Sequence, residues 1–123
     1  MPIGLTPHII EIDAGVDLLS ILFEFARSRG RSIRILSGTG VVADVTLQQP
    51  NRRFVSVLGM FDLLSIHGTI IPMSRMECLG VLQITLSDPW SDEDDVIRGS
   101  VISPLLAYSP MRVTVVSFSN DAF

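Results

Sequence analysis

The sequence predicts an α+β fold in which a largely antiparallel β-sheet packs against one or two helices. Three observations carry that prediction. Apolar residues recur at helical spacing in one early stretch, residues 16–29. The apolar period then shortens to two, and Gly or Pro residues punctuate the chain between the period-two stretches. At 123 residues, 1–123 reads as a single domain, long enough to bury a core of its own.

The elements follow in order. Ile9 to Ile12 reads as a first strand, and Asp13-Ala14-Gly15 offers a helix cap, since a side-chain oxygen there accepts an otherwise unpaired backbone N–H. The helix is expected over Val16–Arg29. Val16, Leu19, Leu22, Phe23 and Ala26 share one face, with Asp17, Ser20, Glu24 and Arg27 mostly opposite. Asp17 in the first turn and Arg27 and Arg29 in the last suit the helix dipole, and Gly30 supplies a left-handed stop. A strand over Ile33–Leu36 follows. Gly38-Thr39-Gly40 then reads as a tight hairpin turn rather than a phosphate-cradling loop, because Gly40 leads into a strand and not into a helix N-terminus. In that next strand Val41, Ala43, Val45 and Leu47 alternate with Asp44, Thr46 and Gln48. The same period returns in Leu82, Ile84 and Leu86 against Gln83, Thr85 and Ser87, and more loosely from Met111 to Phe118.

Bulk properties exclude several functions. The chain is 47% hydrophobic with a mean hydropathy of +0.47, more apolar than a monomer of this size needs, so copies of the chain are expected to cover part of its surface. Asp62 and His67 interrupt the longest apolar candidate, Phe54 to Ile71, which argues against a membrane span. The opening Met1 to Pro7 has no basic, cleavable signal pattern, and a single cysteine, Cys78, fits a reducing compartment. Net charge is −4, from nine arginines, no lysine and 13 acids, so the domain by itself is expected to repel a phosphate backbone. Five of the acids crowd into Asp88–Asp95 around Trp90. That loop lacks the ligand spacing of a calcium loop and reads as a solvated segment whose Trp marks a contact surface.

No catalytic grouping stands out. Cys78 and His67 lack a third, orienting group, and Cys78 reads as structural, as does His8. Arg29-Gly30-Arg31 has the core of a minor-groove hook but sits between a helix and a strand without Pro- and Lys-rich flanks, so it reads as a helix terminus.

Five punctuated segments in order, Leu36 to Gly40, Val45 to Pro50, Gly59 to Ser65, Gly99 to Leu105 and Val116 to Asn120, resemble the PPC (plants and prokaryotes conserved) domain. With Thr6-Pro7-His8-Ile9-Ile10-Glu11-Ile12 at the start, the resemblance is greatest to the version in plant AT-hook motif nuclear-localized proteins. It implies a sheet packed on helices, subunits associating as trimers through their sheets, and a nuclear, non-enzymatic protein-interaction module of a transcriptional regulator. DNA contact is then expected from an AT-hook outside this chain. The implied partners are the chain itself, related PPC domains and other transcription factors, with no membrane and no cofactor. Gly59-Met60-Phe61-Asp62-Leu63-Leu64 matches the plant signature Gly-Arg-Phe-Glu-Ile-Leu, which the family associates with transcription-factor binding. Here Met60 removes a charged donor and Asp62 is one methylene shorter than Glu. If strand alternation holds, Phe61 and Leu63 face the core while Met60, Asp62 and Leu64 face outward.

Prokaryotic relatives with a His-x-His pair and a further His suggest a rival reading, a metal- or small-molecule-dependent enzyme with a site between subunits. The matching positions hold Val81, Gln83 and Ser100, poor or impossible zinc ligands. A standalone interaction protein without a hook is a third reading.

Overall fold

A computed structural model describes residues 4–87, 95–102 and 104–119. The elements are β1 (Thr6–Ile12), α1 (Leu18–Arg29), β2 (Arg31–Thr39), β3 (Val41–Gln48), β4 (Phe54–Pro72), β5 (Cys78–Ser87), β6 (Val96–Val101), β7 (Leu106–Ala107) and β8 (Met111–Ser119). The strands form a single sheet in the order β1-β8-β2-β4-β5-β6-β3-β7, and every pairing is antiparallel. An additional pairing of β3 with β4 brings the sheet back on itself through β4, β5, β6 and β3. The segment 88–94, with Trp90, lies outside the described residues.

The helix begins two residues later than its apolar period suggests. Its cap is Asp17 and not the Asp13–Gly15 stretch: Asp17 Oδ1 accepts the Leu19 N–H at 3.1 Å and Oδ2 the Ser20 hydroxyl at 2.7 Å. The reason lies in the backbone before it. Gly15 N–H and Leu18 N–H donate to the Ala107 and Leu105 carbonyls, and Val16 C=O accepts from Ala107 N–H. These groups are satisfied by the 105–107 segment, so Val16 has no use for a helical conformation. At the other end Gly30 adopts the left-handed conformation (φ 62°), as expected, and its N–H closes on the Ala26 and Arg27 carbonyls. Leu18, Leu22 and Ala26 are fully buried, with Leu19 and Phe23 half-buried against the same core.

Gly40 does not close a hairpin. β2 and β3 never pair with each other. Instead they run in succession along the same neighbour: Ile33 and Ile35 stand opposite Ile70 and Gly68, and Val41 and Gln48 opposite Asp62 and Phe54. Gly40 is a bend in that ribbon, at φ 142°, where an added Cβ would sit 2.6 Å from Met111 Cγ. The stretch Phe54–Ile71, noted for its apolar length, is thus most of the 19-residue strand β4 that both β2 and β3 share.

The alternation expected over Val41, Ala43, Val45 and Leu47 also breaks. The register shifts between Ala43 and Val45, with Asp44 bulged at φ 50°, so Val42, Val45 and Leu47 are the buried set and Ala43 faces outward. β5 carries no such bulge between Ser65's partner Thr85 and Cys78, and Leu82, Ile84 and Leu86 are buried as the period requires. In β8 the buried residues are Met111, Val113, Val115 and Ser117.

Candidate recognition strand

The segment Gly59–Leu64 lies within β4 between two irregularities. On one side is the Asp44 bulge in β3; on the other, the register against β5 shifts between Leu63 and Ser65. Asp44 Oδ1 accepts the Gly59 N–H at 2.7 Å, which ties the bulge to the first residue of the segment, and Gly59 takes the φ of 101° that this turn of the chain requires. Leu63 N–H donates to the Gly40 carbonyl at 2.9 Å, so the bend between β2 and β3 fixes the far end.

Phe61 and Leu63 point into the core, 8% and 6% exposed, while Asp62 and Leu64 face solvent and Met60 is half-buried. The outward row therefore alternates an apolar, an acidic and an apolar side chain. It extends beyond the six residues. Leu58, two positions before Met60, is 80% exposed, and Met60, Ala43 and Leu106 stand side by side across β4, β3 and β7. Tyr108 is exposed nearby, its N–H donating to the Val41 carbonyl. Leu58, Leu106 and Tyr108 escape a reading of the motif alone, because their neighbourhood with Met60 depends on cross-strand register. The chemistry on offer is apolar contact plus a carboxylate acceptor, which suits binding.

The other candidates fall apart or take structural roles. His67 faces Gln83 while Cys78 faces Pro72, five residues farther along the same strand pair, so the two side chains do not meet. Cys78 Sγ–H instead contacts the Phe23 carbonyl at 3.7 Å, and burial pushes its thiol above the ordinary value near 9.0. His8 bonds the Ser117 hydroxyl at 2.9 Å and meets the Phe25 ring edge-on; partial burial, then Arg29 and Arg31, hold its pKa below 6.5. Arg29-Gly30-Arg31 is a helix terminus. The Arg29 guanidinium lies 3.9 Å over the Phe25 ring, and Arg31 donates to the Ser117 hydroxyl and carbonyl and to the Gly4 carbonyl. Gln83 and Ser100 stand opposite each other in register, and the Gln83 amide donates to Ser100 Oγ at 2.8 Å; Val81, 53% exposed, brings no donor atom. Among the described residues no three His, Cys, Asp or Glu side chains come together as a metal site, and no helix is long and apolar enough to cross a membrane.

One curled antiparallel sheet with, among the described residues, a single helix on one of its faces defines an α+β scaffold, and Met60, Asp62 and Leu64 form an outward row on it. The chain belongs to the Plants and Prokaryotes Conserved (PCC, or PPC) domain family, whose pattern matches residues 3–119. It is similar to two Arabidopsis thaliana proteins: AT-hook motif nuclear-localized protein 27, 34% identical over 99% of this chain and 42% of that protein, and protein 29, 36% identical over 99% and 43%. The chain thus spans about two fifths of the length of these relatives. Solved structures share the fold. A plant- and prokaryote-conserved protein of Pyrococcus horikoshii superposes with a TM-score of 0.75 at 14% identity, covering 94% of this chain and 80% of that one. A metal-containing protein of Archaeoglobus fulgidus superposes at 0.72 with 19% identity, covering 95% and 82%.

Proposed function

We propose that this chain is the trimerising interaction domain of a nuclear, AT-hook-bearing transcriptional regulator. In this reading it is not an enzyme, it recruits other transcription factors through Gly59–Leu64, and it meets A/T-rich DNA only through a hook outside the chain. The observation that carries the reading is the sheet face turned away from α1. Ile9, Leu36, Ile71, Leu79 and Val81 lie on it, between 36% and 64% exposed, while their strand neighbours Ile10, Ile35, Ile70 and Leu82 fill the core. Five exposed apolar side chains on one face, with Arg34 and His67 among them, favour burial against further copies. Three copies would join three weak hooks, and the gain in effective concentration accounts for the use of an acidic, apolar module in a DNA-binding protein. The similarity to proteins named as nuclear-localized supports the location.

Light scattering on the purified chain is expected to give about three times 13.5 kDa, and Leu79→Glu with Val81→Glu to lower that mass. A wild-type monomer at micromolar concentration refutes the trimer. Recognition is tested separately. Met60→Ala with Asp62→Ala should change stability by no more than about 0.5 kcal/mol yet reduce recovery of transcription-factor partners. Full recovery by the folded, normally assembled double variant refutes the assignment of recognition to Gly59–Leu64.

A further inference from the structure

A second surface, on the same outward face of β5 as Val81 and beginning two residues farther along that strand, has the makings of a small-molecule site. Where the end of β3 meets β5 and β6, a cleft of about 520 Å³ is lined by Gln48, Arg52, Gln83, Arg98, Gly99 and Ser100. Among the described residues no carboxylate lines it. Its size lies within the range of small-ligand sites.

The lining is assembled from three strands and one turn by register. Gln48, Ser100 and Gln83 stand in one row across β3, β6 and β5, and Arg98 projects from the same face of β6, two residues before Ser100. Gly99 forms the floor. A Cβ there would lie 2.9 Å from both the Gln48 carbonyl oxygen and Leu47 Cβ, so only glycine lets β6 approach β3 this closely. Arg52 comes from the turn between β3 and β4. That turn is fixed by hydrogen bonds from Gln49 N–H to the Arg53 carbonyl, from Arg52 N–H to the Gln49 carbonyl and from Arg53 N–H to Asn51 Oδ1. Arg52 itself sits in that turn at φ 65°, in the left-handed region.

The cleft is rich in hydrogen-bond donors. Gln83 donates one amide hydrogen to Ser100 Oγ, which leaves its second amide hydrogen and the Ser100 hydroxyl proton to point at a guest. Two guanidiniums add forked pairs of N–H groups, a geometry matched to the tetrahedral oxygens of a phosphate. We propose that this cleft binds a small phosphate ester of about nucleotide or sugar-phosphate size.

The test uses the full chain at constant ionic strength, titrated with inorganic phosphate and with adenosine monophosphate. Binding is followed by melting temperature and by the backbone amide signals of Gly99 and Ser100. Both probes are expected to saturate and to shift those two amides, the nucleotide at lower concentration. Arg52→Gln and Arg98→Gln should each weaken binding by about tenfold, the loss of one charge-assisted bond. Arg112→Gln, the same charge change at a site paired with Glu11, should not. Saturation by phosphate without the nucleotide would overturn the phosphate ester as the guest and leave a site for free phosphate alone. Shifts without saturation, equal weakening by Arg112→Gln, or tighter binding of a short DNA duplex at the same amides would each overturn the proposal. The amide shifts are measured on the wild-type protein, so the outcome does not depend on either variant folding.

Discussion

Replacing Asp17 by Ala removes three interactions at once, and the structure says which matter. Oδ1 accepts both the Leu19 N–H at the start of α1 and the Leu105 N–H at 2.9 Å, while Oδ2 accepts the exposed Ser20 hydroxyl. Losing a helix cap costs about 1 kcal/mol. Leu105 is fully buried, so its orphaned N–H adds a penalty of roughly 1–3 kcal/mol. The Ser20 contact, open to water, adds nothing worth counting. Asp17→Ala should therefore destabilise by about 2–4 kcal/mol. With an unfolding entropy near 2.1 cal/mol/K per residue, 123 residues give about 0.26 kcal/mol per degree and a fall in Tm of roughly 8–15 °C. Urea unfolding followed by circular dichroism measures it. Asp17→Asn, which keeps an acceptor oxygen, should recover more than half of the loss. An Ala variant within about 0.5 kcal/mol of wild type would show that the 105–107 segment is not held through Asp17, and would refute the account of why the helix starts at Leu18.

Phe61→Ala should cost about 3–5 kcal/mol and compromise folding itself, in contrast to the outward Met60 and Asp62; chemical denaturation distinguishes them. Gly40→Ala should lower Tm measurably, since its Cβ would collide with Met111; an unchanged Tm would mean the bend is looser than its contacts imply. The His8 pKa is depressed in the folded chain, so the unfolded chain takes up the proton first and stability should fall as pH drops through about 6.5. His8→Gln should flatten that part of the Tm–pH curve, and an identical curve would remove His8 as its cause. The isolated chain should bind A/T-rich duplex no better than random duplex in gel shifts near physiological salt, because Arg31 is already engaged by Ser117; selective binding lost in Arg29→Ala/Arg31→Ala would contradict this.

What the residues made legible, and what they did not, divides along the origin of each feature. The buried triad of β5 and the face of α1 centred on Leu22 and Ala26 are written in periodicity, because the backbone there is regular. The Asp44 bulge is not. A positive φ at an aspartate leaves no trace in an apolar pattern, yet it changes which residues of β3 face the core. Gly38-Thr39-Gly40 misleads for a related reason: closely spaced glycines suit a chain reversal and a bend equally well, and the choice is made by β4, farther down the chain, offering one continuous edge to both β2 and β3. Within Gly59–Leu64, alternation placed Phe61 and Leu63 inward. The wider patch with Leu58 and Leu106 became visible only once strands distant in sequence were in register.

The position of β8 has a consequence for biosynthesis. The last of the described strands in chain order, it sits between β1 and β2, the first two, pairing Thr6 to Ile12 on one side and Arg31 to Thr39 on the other. Until it arrives, β1 has no strand neighbour and β2 has only a short run of β4. A nascent chain therefore carries β1 without its strand partner until β8 has emerged, and the β1-β8-β2 part of the sheet closes only then, while α1 can already pack on β2, β4 and β5. A chain cut short before β8 would keep β4, β5 and β6 together while leaving its earliest strands underpaired, a species open to capture by another strand.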